Sequence, residues 1–390
     1  MDKTLRMHFY KIGLLPLVIF FSLMACSKDE NPDPSISDQD CLPTSGKLNG
    51  KTIDGEFIIT SKATNSPGAR SARAAKIFET HGISREALLE SFEGEKSYYV
   101  VRLTDEQLKT VQTDEAVEHV EPDRVISACG CFTVVEPRLI TWNVNKVGYG
   151  DGRGKTAWII DTGIDSDHRD LNVDKERSRS FLQGLSSYED DNGHGTHIGG
   201  IIGALNNDFG TLGVASGATL VGLKVLDSNG DGKLSGLLNA LTFVRSNAKA
   251  GDVVNISVGF TDVSSTLENE IKAIADKGVY FTLAAGNNST EANTYSPART
   301  SGKNIYTIAA VDSLDQFASF SNYGNDVIDF AAPGVRILST YKDGKYAILS
   351  GTSMAAPHVA GILLINNGKI NPIGNALADP DGTPDPLAHQ

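Results

Sequence analysis

From Lys155 onward the chain repeats one unit, a short apolar run followed by an amphipathic stretch of helical period. Strand-like runs fall at 156–161, 219–226, 253–258, 279–285 and 305–311, with helix-like segments such as 234–248 and 266–277 between them. These runs are continuously rich in Val, Ile and Leu, as strands buried on both faces must be. The order predicts an α/β domain around a mostly parallel sheet, with its site at the carboxyl ends of the strands. At 390 residues the chain is long enough for a second, smaller unit. A net charge of −13 excludes the basic face that a nucleic-acid binder needs. Four cysteines, none beyond Cys131, exclude both a disulfide-rich scaffold and a zinc module built on four thiolates. A monomer is expected.

The first residues read as an export signal. Lys3, Arg6 and Lys11 precede an apolar stretch at 12–25 that is too short to cross a bilayer comfortably. It ends in Leu23-Met24-Ala25-Cys26, which resembles a bacterial lipobox. The resemblance implies a lipoprotein signal peptide over 1–25, lipidation of Cys26, and membrane attachment at the outer membrane or cell surface. Residues 26–51 read as a polar tether rich in Asp, Pro and Ser.

Residues 52–129 read as a small α+β domain. Strand-like segments at 53–60, 98–103 and 116–120 alternate with helical ones at 71–81 and after Thr104, where Thr104 and Gln107 form a capping box. With one further strand that periodicity does not resolve, the order suits a ferredoxin-like sandwich.

The polar exceptions to the apolar pattern fall at element ends. Asp161 closes the first strand of the larger domain, His194 opens a helix in Asn192-Gly193-His194-Gly195-Thr196-His197, Asn287 follows Ala284-Ala285-Gly286, and Ser353 opens a helix in Gly351-Thr352-Ser353-Met354. Nucleophilic acyl transfer needs a hydroxyl, an imidazole to take its proton, a carboxylate to hold the tautomer, and donors aimed at an oxyanion. All four residue types are present, in the chain order Asp, His, Ser. That order differs from those of α/β-hydrolases and chymotrypsin-like enzymes. No Glu follows His194 in an H-E-x-x-H arrangement, so a zinc peptidase is not expected.

Across 142–361 these motifs resemble the subtilisin/proteinase K family of serine proteases. The resemblance implies Ser353 as nucleophile, His194 as general base and then acid, Asp161 as its orienting carboxylate, and Asn287 with the Ser353 N–H as oxyanion hole. It implies that Ser257, Val258 and Gly259 bind the backbone of a protein or peptide substrate, and that His197 and His358 are structural. Residues 101–108, followed by 117–123, resemble the family's inhibitory propeptide, which implies that 52–129 inhibits 130–390 until autoprocessing near residue 130. The loop of Leu205, Asn207, Phe209 and Thr211, with Asp170, resembles the family's calcium loop, so a structural Ca²⁺ is expected there; Asp329 marks a second candidate cation site. Asp227 to Gly232 copy half an EF-hand loop, but Leu238 stands where the bidentate Glu is required, so a turn is expected instead. In oxidising surroundings Cys41 could bridge to Cys129 or to Cys131. After Gly361 the family's closing helices are expected to be curtailed.

Overall fold

The computed structural model describes residues 50–62, 67–93, 96–127, 131–134 and 140–390, with backbone alone at 67–72, 93, 127 and 131–134. The signal segment, Cys26, the tether up to residue 49, Cys41, Cys129 and the Cys131 side chain lie outside the described residues. In chain order the smaller part contains β1 (Thr52–Ser61), α1 (Pro67–Thr80), β2 (Leu88–Glu93), β3 (Ser97–Arg102), α2 (Asp105–Val111) and β4 (Val117–Ser127). Next come β5 (Cys131–Val134), α3 (Trp142–Val147), β6 (Thr156–Asp161), β7 (Arg179–Ser180), α4 (His194–Gly203), β8 (Thr219–Lys224) and β9 (Asp231–Lys233). After them run α5 (Leu234–Asn247), β10 (Val253–Ile256), α6 (Ser265–Ala275), β11 (Tyr280–Ala284), β12 (Ile305–Val311) and β13 (Phe330–Pro333). The chain ends with β14 (Ile337–Tyr341), β15 (Lys345–Ser350), α7 (Thr352–Ile365), β16 (Asn371–Asn375) and β17 (Pro386–His389).

The large sheet has the strand order β16-β17-β13-β12-β11-β10-β6-β8-β7. Every pairing in it is parallel except the β16–β17 hairpin. Successive side chains of a strand point to opposite faces. Accordingly Ala157 and Ile159 of β6 pack with α4 and α7 on one face, while Trp158 and Ile160 pack with α5 and α6 on the other. Helix α7 is buried from Thr352 to Leu364, as an all-round apolar helix must be.

The smaller part has the antiparallel order β4-β1-β3-β2, with α1 and α2 on one face. This is the ferredoxin-like arrangement, and β2 is the strand that periodicity leaves unresolved. Thr104 and Gln107 form the capping box that starts α2. Ile59, Tyr99 and Val101 pack with the domain's own helices, whereas Ile58, Tyr98, Val100 and Phe92 join the core formed with α5 and α6.

The strand ends are corrected. The apolar runs at 219–226 and 253–258 outlast their strands, because Val225 and Leu226 turn their N–H groups to the Asp161 carbonyl and Ser257 turns its side chain to α7. Beyond α7 the chain returns as the β16–β17 hairpin, in which Leu387 pairs with Ala331 and covers an edge of the sheet. No described helix is long and apolar enough to cross a membrane.

Candidate active site

Asp161 ends β6 and His194 is the first residue of α4, so the two meet where the sheet's carboxyl edge faces a helix start. Helix and strand can approach this closely because residue 195 is glycine: a Cβ there would lie 2.1 Å from the Gly163 carbonyl oxygen. His194 Nδ1 lies 2.7 Å from Asp161 Oδ1, which also accepts the Thr162 N–H. Both side chains are buried, and His194 Nε2 has no hydrogen-bond partner among the described residues. Burial alone would lower the pKa of His194, but the charge and hydrogen bond of Asp161, with Asp190 nearby, leave it raised above the ordinary imidazole value.

Ser353, at the start of α7, donates from Oγ to the Ser257 carbonyl at 3.1 Å rather than to His194. A serine hydroxyl moves between staggered wells about one bond, and catalytic hydrogen bonds often tighten only when substrate binds. In return, Ser257 Oγ donates to the Ser353 carbonyl at 2.9 Å and accepts from Asn255. Ser257 therefore links the end of β10 to the helix that carries the hydroxyl. Asn287 Oδ1 accepts from both the Thr352 N–H and the Thr352 hydroxyl, each at 2.9 Å. Those two bonds fix the amide so that its NH₂ group serves as the donor end. An imidazole bonded to a carboxylate and, at the start of α7, a hydroxyl beside a held amide are the residue types that acyl transfer uses.

Several supporting residues escape sequence reasoning. Asp190 accepts five hydrogen bonds, from Thr162 Oγ1, the Asn192, Gly193 and Thr196 N–H groups, and the Thr196 hydroxyl. Asn322 shapes the turn around Asn287, accepting from the Asn288 N–H and donating to the Ala285 carbonyl. Apart from the position of Asp190 just ahead of a helix start, no spacing announces them. His197 faces the carbonyls of Ile337 and Ala347, and His358 bonds Asn143 and the Met354 carbonyl. Burial drives their pKa values down to about 3 and about 4, so both are neutral packing groups.

Asp170 is fully buried. The expected calcium loop closes over it: its carboxylate accepts from the Asn207 amide at 2.9 Å, the Thr211 N–H at 2.9 Å and the Tyr346 hydroxyl at 3.1 Å. Leu205 donates its N–H to the Asp170 carbonyl, and Phe209 donates to Asn207 Oδ1. Gly210 has φ +74°, and a Cβ there would sit 2.2 Å from Asp170 Oδ2. The Asp170 carboxylate is thus held by N–H and O–H donors on every side described. Among the described residues, no three His, Cys, Asp or Glu side chains gather as a metal site.

Comparison with known proteins agrees with this fold. Residues 152–371 match the Subtilase family. The chain is 33% identical over 327 residues to Alkaline serine exoprotease A of Vibrio alginolyticus, a match that covers 80% of this chain and 59% of that protein. It is 39% identical over 267 residues to the Thermostable alkaline protease of Halalkalibacterium halodurans, covering 67% of this chain and 69% of the relative. A crystal structure of a cold adapted subtilisin-like serine proteinase superposes with a TM-score of 0.56 at 32% identity, over 65% of this chain and 98% of that one. The parallel sheet and these likenesses place the chain among subtilisin-like serine proteases. The chain belongs to the subtilase family.

Proposed function

We propose that the protein is an exported serine endopeptidase made as a zymogen. Ser353 attacks the scissile carbonyl while His194 Nε2 takes its proton, and Asp161 stabilises the imidazolium that forms. Asn287 and the Ser353 N–H receive the oxyanion. His194 then passes the proton to the leaving amine, and water, activated in the same way, releases the acyl group. The substrate backbone lies along Ser257, Val258 and Gly259. The observation that carries this reading is the 2.7 Å bond from His194 Nδ1 to Asp161, which leaves Nε2 buried and free for a proton.

The smaller domain is the inhibitor in this reading. Its β4 pairs antiparallel with β9, with Ile126 opposite Gly232, as a bound peptide would pair. Asp123 accepts from the Ser235 N–H at 3.0 Å and its hydroxyl at 2.6 Å, capping α5, and Tyr98 donates to Glu270 on α6 at 2.7 Å. Downstream, β5 pairs with β15, so Cys131 lies opposite Ser350, three residues before Ser353. The chain is therefore gripped on both sides of the expected processing point near residue 130. Lipid on Cys26 would anchor the precursor, and cleavage near 130 would detach the peptidase from that anchor. Ca²⁺ at the Asp170 loop would brace the mature enzyme through Asp170, Asn207 and the carbonyls of Leu205, Phe209 and Thr211.

A fluorophosphonate probe should label the wild type and not Ser353→Ala, and Ser353→Ala should accumulate uncleaved precursor. An unlabelled wild type would instead make the chain a subtilisin-shaped binding protein.

A further inference from the structure

Lys224 is the last residue of β8, opposite Asp161 in register, and its side chain has no solvent exposure. Holding an ammonium group inside a protein costs several kcal/mol unless partners compensate it. Two do. Nζ donates to the Thr162 carbonyl at 2.5 Å and to Asp191 Oδ1 at 2.7 Å. The carbonyl belongs to the residue directly after Asp161, and the carboxylate belongs to the turn that leads into His194.

The two partners are also tied to each other. Thr162 Oγ1 donates to Asp190 at 2.8 Å and accepts from the Gly195 N–H at 2.9 Å, while Asp190 gathers the other N–H groups at the start of α4. Strand exit and helix start are thereby fastened at three points, and the only cation among those fastenings is Lys224. On this basis we propose that Lys224 is a positioning residue for His194 and Asp161, its ammonium fixing the distance between the strand that carries the carboxylate and the turn that carries the imidazole. The proposal rests on the assignment of these two residues to the peptidase mechanism.

The charge of Lys224 matters as well as its reach. The titratable groups facing His194 and the turn before it are Asp161 on β6, Asp190 and Asp191 in that turn, His197 on α4, Tyr341 on β14, Lys342 just after it, His358 on α7, and Lys224 itself. Lys342 reaches only the Asp191 carbonyl from a partly exposed position, so Lys224 is the fully buried cation of this set. Deleting it leaves three carboxylates to favour the imidazolium form, so the acid limb of the rate profile should move to higher pH. A residue that merely filled space would leave that limb where it was.

The test compares Lys224→Met, Lys224→Arg and Asp191→Asn, each matured in trans by a tagged wild-type enzyme that is then removed. For Lys224→Met, kcat should fall about 10-fold or more, the cost of a misplaced catalytic pair, with KM within about twofold of wild type. Its acid limb should rise by about half a pH unit, and Lys224→Arg should restore the limb. In the Ser353→Ala precursor, nitrogen-15 NMR of His194 should report the same upward shift without any turnover. That measurement stands even if the probe fails to label the wild type, an outcome that would sink the peptidase reading alone. Folded Lys224→Met with unchanged kcat, or with lost activity and an unmoved His194 titration, overturns the proposal. Should Lys224→Met fail to fold, Asp191→Asn decides: removal of this half-exposed carboxylate should lower the His194 titration, and an unmoved one overturns the proposal.

Discussion

At the scale of single residues, the site works through opposed pressures on one imidazole. Burial disfavours a charged His194, and Asp161 and Asp190 more than offset it. A base whose pKa is raised stays protonated to higher pH, so activity falls away earlier on acidification. The acid limb of kcat/KM should therefore lie above the ordinary imidazole value of 6.5, as a pH–rate profile on a short peptide substrate will measure. Asn287 acts differently, because its carbonyl end is held by Thr352 and only its donor end is available. Asn287→Ala should lower kcat by about 10²–10³ with little change in KM, the range measured for the corresponding donor of a subtilisin. Asp161, His194, Asn287 and Ser353 stand out in the sequence because they sit in compact motifs at element ends. Asp190, Thr162, Lys224 and Asn322 are not, since their hydrogen-bond partners lie as far as 62 residues away and carry no periodic signal.

At the scale of elements, legibility followed burial. Strands β6 and β12 were readable to the residue, because runs buried on both faces are uninterrupted from one polar boundary to the next. Strand β8 was overread at its end because Val225 and Leu226 are as buried as the strand itself while turning to the Asp161 carbonyl. In the smaller domain β2 was missed because Glu90 and Glu93 break its apolar alternation; Glu90 accepts a hydrogen bond from Asn239 on α5. Asp123 shows the same logic at a helix end, where a side chain from one domain caps a helix of the other. Loss of an N-cap costs about 0.5–2 kcal/mol. Asp123→Ala in the Ser353→Ala precursor should therefore lower unfolding stability by about that amount, read as a lower urea midpoint at an unchanged slope. Equal midpoints would mean that the cap contributes nothing to holding the two domains together.

At the scale of the whole molecule, the last strand closes the sheet at an electrostatic cost. Asp385 stands just before β17, buried, with Oδ2 unpartnered among the described residues and its N–H bonded to Asp379. Burial first, then the neighbouring carboxylates Asp379, Asp381 and Asp329, push its pKa up to about 8, and burial lifts Asp329 to about 6. A carboxyl raised in this way holds its proton in the fold at pH values where the unfolded chain has released it. Between about pH 4 and pH 8 the folded state therefore binds more protons, and stability from these groups falls as pH rises. Above about pH 8 both states are ionised and the slope disappears. Asp385→Asn keeps the shape and removes the titration. Melting temperatures of the Ser353→Ala precursor should thus fall by at least about 3 °C more than those of its Asp385→Asn derivative between pH 6 and pH 9, a difference of about 1 kcal/mol for a domain of this size. Parallel curves would show that Asp385 ionises as readily in the fold as out of it, and that the hairpin seats its carboxylate without penalty.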